Sequence, residues 1–379
     1  MKILMISIDK GLLGGGQLGD VIERHKKYGE FCDRLDIVIF SKKGFTEYKI
    51  SDKVAAYPTN SDYKIKYCFD ALRIGKQLFK KNNYDLIVTQ TPFIDGLVGL
   101  MLKNKFNAKL LVHFHGDFWG NKSWLHENKL NYLFLPISKF VVKRADAIRV
   151  MSEGQAHKIT KTQKQLVRVI STPVDLEKYH ENTPVSQQNW IRGGAKTQKQ
   201  ENIKIILHVG RDDEVKDYGT LIRAFKIVKE KIPEAIFWQA GADKKIKEAM
   251  AANCFSDVEL RGLVSADDMI SLYYQCSLVV LSSTSESFGK VLVEANACSK
   301  PVVSTATTGA REIIEDGENG FLVPIGDAEK LAEKIIWLLE HPEEIKKMGE
   351  SGRELMKEKY GDNTEKIIKF WDDIINNRL

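Results

Sequence analysis

At 379 residues the chain is too long for one ordinary hydrophobic core, so two domains are expected. With 43% hydrophobic and 28% charged residues it has a soluble, globular composition, and no run approaches the roughly 18–20 uninterrupted apolar residues of a membrane span. The net charge of +6 is unevenly held: residues 1–185 carry 30 Lys and Arg against 19 Asp and Glu, and residues 186–379 carry 27 against 32. A first half at +11 suits an anionic partner such as a membrane surface or a phosphorylated acceptor. Lysine-rich helices that merely keep the protein soluble account for the same asymmetry. Nucleic acid is disfavoured, because the basic residues are not interleaved with a recognisable binding motif. The five cysteines are scattered, odd in number and free of CxxC spacing, which fits a reduced, cytoplasmic setting rather than a disulfide framework or a zinc site.

Short aliphatic and β-branched runs alternate with helical stretches throughout, the pattern of parallel sheets wrapped by helices. The chain opens on an apolar run that leads directly into Asp9-Lys10 and a glycine loop. It lacks the small-residue cleavage site of a signal peptide and reads as a buried strand at 3–8. Further strands are expected at 34–40, 86–89, 110–114, 147–151 and 166–170, with helices near 20–31, 63–81, 94–103 and 126–144. Pro136 should kink or break the last of these. The aperiodic stretch 186–200 is a linker, and the pattern restarts after it with strands at 203–209, 235–240, 258–260, 278–281 and 301–304. The domains expected are therefore 1–185 and 201–363. The closing helix, within 364–379, has a broad apolar face that would pack back onto the first domain.

The chemistry-bearing residues sit where the expected strands end. Gly14-Gly15-Gly16 follows the first strand, where glycines let backbone approach an anion with a helix N-terminus behind it. There is no GxxxxGK[ST], so a P-loop NTPase is disfavoured. The run 14–19 does match GxGxxG, but the second strand ends Ile39-Phe40-Ser41-Lys42, without the acid that binds a ribose. A nicotinamide-dependent dehydrogenase stays as an alternative. His113 and His115 share one side of a strand; His115 stands at its end before Gly116, while His113 lies deeper as a core histidine with its hydrogen bonds satisfied. Phe118, Trp119 and Trp124 follow, suited either to stacking on a sugar or to core packing.

In the second half Gly210-Arg211 follows a strand, with Lys216 at the next helix start. Two cations there suit a diphosphate, unless they pair with Asp212, Asp213 and Asp217 at the surface. Glu286 lies in a loop after a strand. Glu294 lies in an apolar helical run, where a buried carboxylate needs partners: ribose hydroxyls, or a structural ion pair. Backbone N–H groups around Phe288, Gly289 and Lys290 offer another anion site.

Taken together these segments resemble glycosyltransferase family 4, the retaining enzymes of GT-B fold. The resemblance covers nearly the whole chain and is strongest over 203–325. It rests on the E-x7-E pair Glu286 and Glu294, on Gly210-Arg211 with Lys216, on the glycine loop, on His115-Gly116, and on the runs 301–304, 309–314 and 316–323. The resemblance implies two Rossmann-like doubly wound domains with parallel sheets facing across a cleft. It implies transfer of a hexose from a UDP- or GDP-sugar, with retention, to a glycan or lipid-linked acceptor in cell-surface polysaccharide or glycolipid synthesis. Arg211 and Lys216 would hold the diphosphate, Glu294 the ribose and Glu286 the transferred sugar, with Phe288 and Gly289 assisting through their backbone. His115 would contact the donor sugar, and Gly15 and Gly16 would approach the phosphates. No metal is expected, since fixed cations and helix N-termini can take the leaving group's charge. A peripheral contact with an anionic membrane is a further expectation; a soluble-acceptor enzyme making a disaccharide or storage glucan is the alternative within the fold. Two departures from the family pattern are Thr172-Pro173-Val174-Asp175 for its Asn-Gly-Val-Asp and Thr308-Gly309 for its Gly-Gly.

Overall fold

The structure, a computed structural model, describes residues 1–14, 20–161, 166–179, 204–241 and 243–378, without the side chain of Ser123. The expected linker 186–200 lies outside these residues. Two compact units form: residues 1–173 with 363–379, and residues 174–362. Residues 174–179, assigned from sequence to the first domain, belong to the second unit. The Val174 N–H donates to the Gly361 carbonyl (3.1 Å), and the Tyr274 hydroxyl donates to the Tyr179 carbonyl (2.7 Å).

The first unit runs β1 (Lys2–Ser7), α1 (Val21–Glu30), β2 (Arg34–Ile39), β3 (Tyr48–Lys49), β4 (Val54–Pro58), α2 (Tyr67–Lys81), β5 (Leu86–Thr89), α3 (Ile94–Phe106), β6 (Lys109–Phe114), α4 (Lys122–Glu127), α5 (Asn131–Val142), β7 (Ala147–Val150), α6 (Glu153–Thr160) and β8 (Leu166–Val169). The eight-stranded sheet has the order β3-β4-β2-β1-β5-β6-β7-β8, parallel except for the β3–β4 pair. Strand periodicity sends Leu4 and Ile6 to one face, under α2, α3 and α5, and Ile3 and Met5 to the other. Sequence reading did not find β3 and β4. The expected helix over 126–144 is two helices, broken not at Pro136, which lies inside α5, but at 128–130. There the Asn128 side chain accepts from the Leu130 N–H (2.9 Å), and the Asn131 amide donates to the Trp124 carbonyl (2.6 Å).

The second unit runs β9 (Ile205–Gly210), α7 (Tyr218–Lys231), β10 (Ile236–Gly241), α8 (Lys244–Ala252), β11 (Val258–Gly262), α9 (Ala266–Gln275), β12 (Leu278–Leu281), α10 (Lys290–Ala297), β13 (Val302–Thr305), α11 (Ala310–Ile313), β14 (Gly320–Val323), α12 (Ala328–Glu340) and α13 (Pro342–Lys359). Its six parallel strands have the order β11-β10-β9-β12-β13-β14. Here too one strand, β14, was not expected as such.

After α13 the chain returns to the first unit as α14 (Thr364–Ile375). Ile367, Phe370, Trp371 and Ile374 join the core formed by Ile3, Met5 and Tyr28, and Trp371 meets Tyr28 edge-on at 5.5 Å. A fully buried indole removed from such a site leaves a cavity that the sheet cannot close. Trp371→Ala should therefore destabilise the first unit by about 3–5 kcal/mol, read as a lowered urea midpoint.

His25, on the buried side of α1, has its Nδ1 2.7 Å from the Val21 carbonyl. Burial, reinforced by the charge of Arg24, lowers its pKa from 6.5 to about 3. Between those values the unfolded chain binds a proton that the folded chain refuses, so this contribution is complete above 6.5 and is lost as pH falls toward 3. The melting temperature should drop between about pH 7 and about pH 4, and His25→Gln should flatten that slope.

Candidate active site

In the second unit the chain leaves β9 for β10 and β11, then returns to the other side of β9 as β12. Between β9 and β12 the direction of winding reverses, and the loops leaving their carboxyl ends bound a crevice where such sheets bind ligands. These loops are 211–217 and 282–289, and of the residues singled out by sequence they hold Arg211, Lys216, Glu286, Phe288 and Gly289.

Lys216 and Glu286 meet there, Nζ to Oε1 at 2.5 Å, with side chains 13% and 17% exposed. Glu286 also accepts from the Ser283 hydroxyl (2.9 Å). The Ser282 hydroxyl donates to the Lys216 carbonyl (2.7 Å), and the Thr284 N–H donates to the Val215 carbonyl (2.8 Å). The two loops are thus tied by backbone as well as by charge.

The three nearby aspartates are otherwise engaged. Asp213 accepts from the Val215 N–H, Asp217 accepts from the N–H and hydroxyl of Thr220 at the start of α7, and Asp212 accepts from the Lys245 N–H. Surface pairing of Arg211 or Lys216 with these acids is therefore not what forms. Arg211 is exposed, and its guanidinium has no ion-pair partner among the described residues; its carbonyl accepts from the Tyr218 hydroxyl (3.0 Å). Below the loop lies His208, fully buried and lowered to a pKa of about 3 by that burial, with Nδ1 2.6 Å from Gln239 Oε1.

Gly289, at φ +90°, turns the second loop into α10, and as the N-cap residue it offers no side-chain cap of its own. The bend over 286–289 is clamped by Gly309, whose N–H donates to the Glu286 carbonyl (2.8 Å). A Cβ at Gly309 would stand 2.4 Å from the Phe288 carbonyl oxygen, so only glycine allows this approach. Phe288 is buried, its ring 5.6 Å from that of Tyr360.

Glu294, on α10, is 8% exposed and already has two partners: the Tyr273 hydroxyl donates to Oε2 (2.8 Å), and Lys290 Nζ stands 3.3 Å from Oε1. The structural-pair alternative is thus realised in part, yet a carboxylate has about four acceptor positions, which leaves capacity for a ligand's hydroxyls. Burial and this carboxylate push the Tyr273 phenol well above its ordinary pKa, so it stays a donor.

In the first unit His115 stands just past β6, exposed, its ring 5.4 Å from that of His113. His113 is buried, but its Nε2 has no hydrogen-bond partner among the described residues; it is a core histidine, not a satisfied one. Trp119 and Trp124 are buried, Trp119 donates to the Ser138 hydroxyl (2.9 Å), and Phe118 packs against Phe93 and Trp124. Core packing, not a sugar platform, accounts for all three. Gly15 and Gly16 lie outside the described residues. Among those residues no group of three or more His, Cys, Asp or Glu is gathered as metal ligands would be.

Sequence reasoning missed Ser283, Tyr273, Lys290 and the clamp at Gly309. Lys290 was accessible as the i,i+4 partner of Glu294. Tyr273 comes from another helix and carried no local signal.

Comparison with known proteins agrees with this geometry. Residues 194–355 match the profile of the family "Glycosyl transferases group 1", and residues 33–178 match that of "Glycosyltransferase Family 4". An uncharacterized glycosyltransferase of Methanocaldococcus jannaschii is 30% identical over 362 residues, covering 94% of this chain and 93% of the relative. Among solved structures, sucrose-phosphate synthase from Thermosynechococcus elongatus superposes with a TM-score of 0.80 at 20% identity, covering 100% of this chain and 97% of that one. Anabaena HepE in complex with UDP-glucose gives 0.77 at 21%, covering all of both chains. These likenesses are of fold: both units are Rossmann-like, as in GT-B enzymes. The dehydrogenase alternative falls away, and the chain belongs to the group 1 glycosyltransferases, glycosyltransferase family 4.

Proposed function

We propose that the second unit binds a UDP- or GDP-hexose in the crevice between β9 and β12, and that the enzyme transfers the hexose with retention of configuration. The acceptor is a glycan or lipid-linked sugar of cell-surface polysaccharide or glycolipid synthesis, handled by a cytoplasmic protein that touches the membrane peripherally. One observation carries the donor assignment: Lys216 and Glu286 paired at the switch point, beside Arg211, whose guanidinium has no ion-pair partner among the described residues. The UDP-glucose held by Anabaena HepE, which shares the fold, is consistent with it.

In this reading Arg211 grips the diphosphate as a planar fork and Lys216 meets it as a point charge. The N–H groups at Phe288, Gly289 and Lys290 add hydrogen bonds to the same oxygens. Charge that builds on the departing diphosphate is thereby met by groups already in place, so no metal is required. Glu286 accepts from hydroxyls of the transferred hexose and Glu294 from the ribose. His115 is the first unit's contribution to the chemistry, and Gly15 and Gly16 approach the phosphates.

The test is calorimetry with UDP, GDP and their hexose derivatives, wild type beside Arg211→Ala. One nucleotide series should bind saturably, be unaffected by EDTA, and bind at least about tenfold more weakly to the variant. A folded protein that binds none of them would overturn the reading.

Gly309→Ala probes the clamp rather than the charges. The added methyl cannot fit against the Phe288 backbone, so the 286–289 bend must move. The variant should stay folded by circular dichroism while its nucleotide affinity falls by roughly tenfold or more.

A further inference from the structure

The turn that carries His115 is held by a helix from the neighbouring strand. Residues 115–117 follow β6, and α6, which follows the adjacent β7, bonds to them through two side chains. Gln155, 2% exposed, accepts from the Met151 N–H through Oε1 (2.8 Å) and donates to the Gly116 carbonyl through Nε2 (2.9 Å). The partners fix which end of the amide is which, since an N–H needs the oxygen and a carbonyl needs the nitrogen. Further along α6, Lys158 Nζ stands 2.7 Å from both carboxylate oxygens of the buried Asp117. The Asn121 amide donates to the Asp117 carbonyl (3.0 Å). A Cβ on Gly116 would stand 2.4 Å from the Phe118 ring, so that ring packs directly against the turn.

Gln155 does more than its own helix requires. Ser152-Glu153-Gly154-Gln155 has the spacing of a capping box, in which the third helical side chain bonds the backbone N–H at the cap. Here that side chain reaches one residue further back, to Met151, and the Ser152 side chain makes no cap hydrogen bond. A glutamate would serve the Met151 N–H equally well. Only an amide can also donate to Gly116, and that second bond fixes the turn after His115 rather than the start of α6.

The surroundings of His115 make its orientation consequential. The residue reaches solvent, yet the protein around it lowers its pKa from 6.5 to about 3, reinforced by the charges of Arg149 on β7 and of Arg24 and His25 on α1. His113, on the same strand, stands 5.4 Å away ring to ring and is held neutral as well. Asp117, the nearest carboxylate in sequence, is committed to Lys158. A neutral imidazole offers one donor and one acceptor, each useful in one direction only.

We propose that Gln155 is a positioning residue for His115: its bond to Gly116 holds the turn 115–117 so that the imidazole is presented to the donor sugar in one orientation. This deepens the role given to His115 above and rests on it.

Two readouts test the proposal in the full chain. The first is hydrolysis of UDP- and GDP-hexoses by Gln155→Met and Gln155→Glu, each alone and combined with His115→Ala. Gln155→Glu keeps an acceptor for the Met151 N–H, so it separates the Gly116 bond from the start of α6. Both substitutions should lower kcat at least about tenfold, while nucleotide affinity by calorimetry stays within about twofold of wild type. In the His115→Ala background each should change kcat by less than about twofold, because the effect passes through a ring no longer present. The second readout is the His115 ring signal in NMR, identified by its loss in His115→Ala. In the wild type it should stay that of a neutral ring as pH falls from about 8 to about 5. In Gln155→Met the loosened turn hydrates the ring, and the signal should titrate closer to 6.5. Wild-type kcat in Gln155→Glu, or a loss that persists undiminished without His115, overturns the proposal. So does a His115 titration that is the same in Gln155→Met and wild type. If none of the proteins hydrolyses any of these donors, the donor assignment fails, and the ring titration still decides the positioning.

Discussion

The ion pair between Lys216 and Glu286 is the contact on which the candidate site depends. Two charges this close to the interior lose much of their hydration, and their attraction offsets that loss only if the remaining atoms are also satisfied. Here they are. Ser283 donates to the carboxylate, and the backbones on either side are joined through Ser282 and Thr284. The pair therefore sets the separation of two loops that arise at adjacent strand ends 70 residues apart in the chain. The direction of Arg211, the bend at Gly289 and the approach of Gly309 all refer to that separation.

Much of the architecture was legible because parallel strands are buried on both faces and read as nearly continuous apolar runs; β1, β5 and β12 follow that rule, and the interiors of β2 and β9 depart from it only at Asp36 and His208. The strands that escaped do not. β3 is two exposed residues at an antiparallel edge, and β4 alternates between buried and half-buried positions and contains two alanines and a terminal proline. β14 is held largely by what surrounds it. Asn319, just before it, donates to Asn296 Oδ1 (2.5 Å) and the Ile313 carbonyl (2.9 Å), partners that no local pattern announces. Pro136 misled in the opposite sense. Its ring removes one hydrogen bond inside α5, but the break itself is made by Asn128 and Asn131, whose side chains offer the backbone another partner.

The site followed the same division. Residue types at strand ends singled out Arg211, Lys216 and Glu286, and Glu294 stood out as a carboxylate within an apolar helical run. Pairings were not legible. Nothing in the spacing joined Lys216 to Glu286, or Tyr273 to Glu294, since sheet order, not chain order, makes them neighbours. Histidine was the least readable type of all. His113 and His115 share a strand face, but only the latter reaches solvent, and burial drives His25, His113, His115 and His208 alike toward the neutral ring.

Under the proposed function the Lys216–Glu286 pair also solves a problem of sequence in time. A lysine meant for a diphosphate must be held in place before the diphosphate arrives, and a carboxylate meant for neutral hydroxyls must not repel that diphosphate. Pairing the two neutralises both in the empty site. When an anion of greater charge density engages Arg211 and Lys216, the lysine has a stronger partner and Glu286 is released with its acceptor positions open. Ser283 keeps the carboxylate anchored through that exchange, because its hydrogen bond does not depend on the lysine. Glu294 is arranged differently. Its partners, Tyr273 and Lys290, leave a fixed carboxylate edge rather than a releasable one, which suits a group that recognises the same ribose in every turnover. The two glutamates of one motif thus differ in the source of their partners: Glu286 is paired from the opposite loop, Glu294 from its own helix and from Tyr273 on α9.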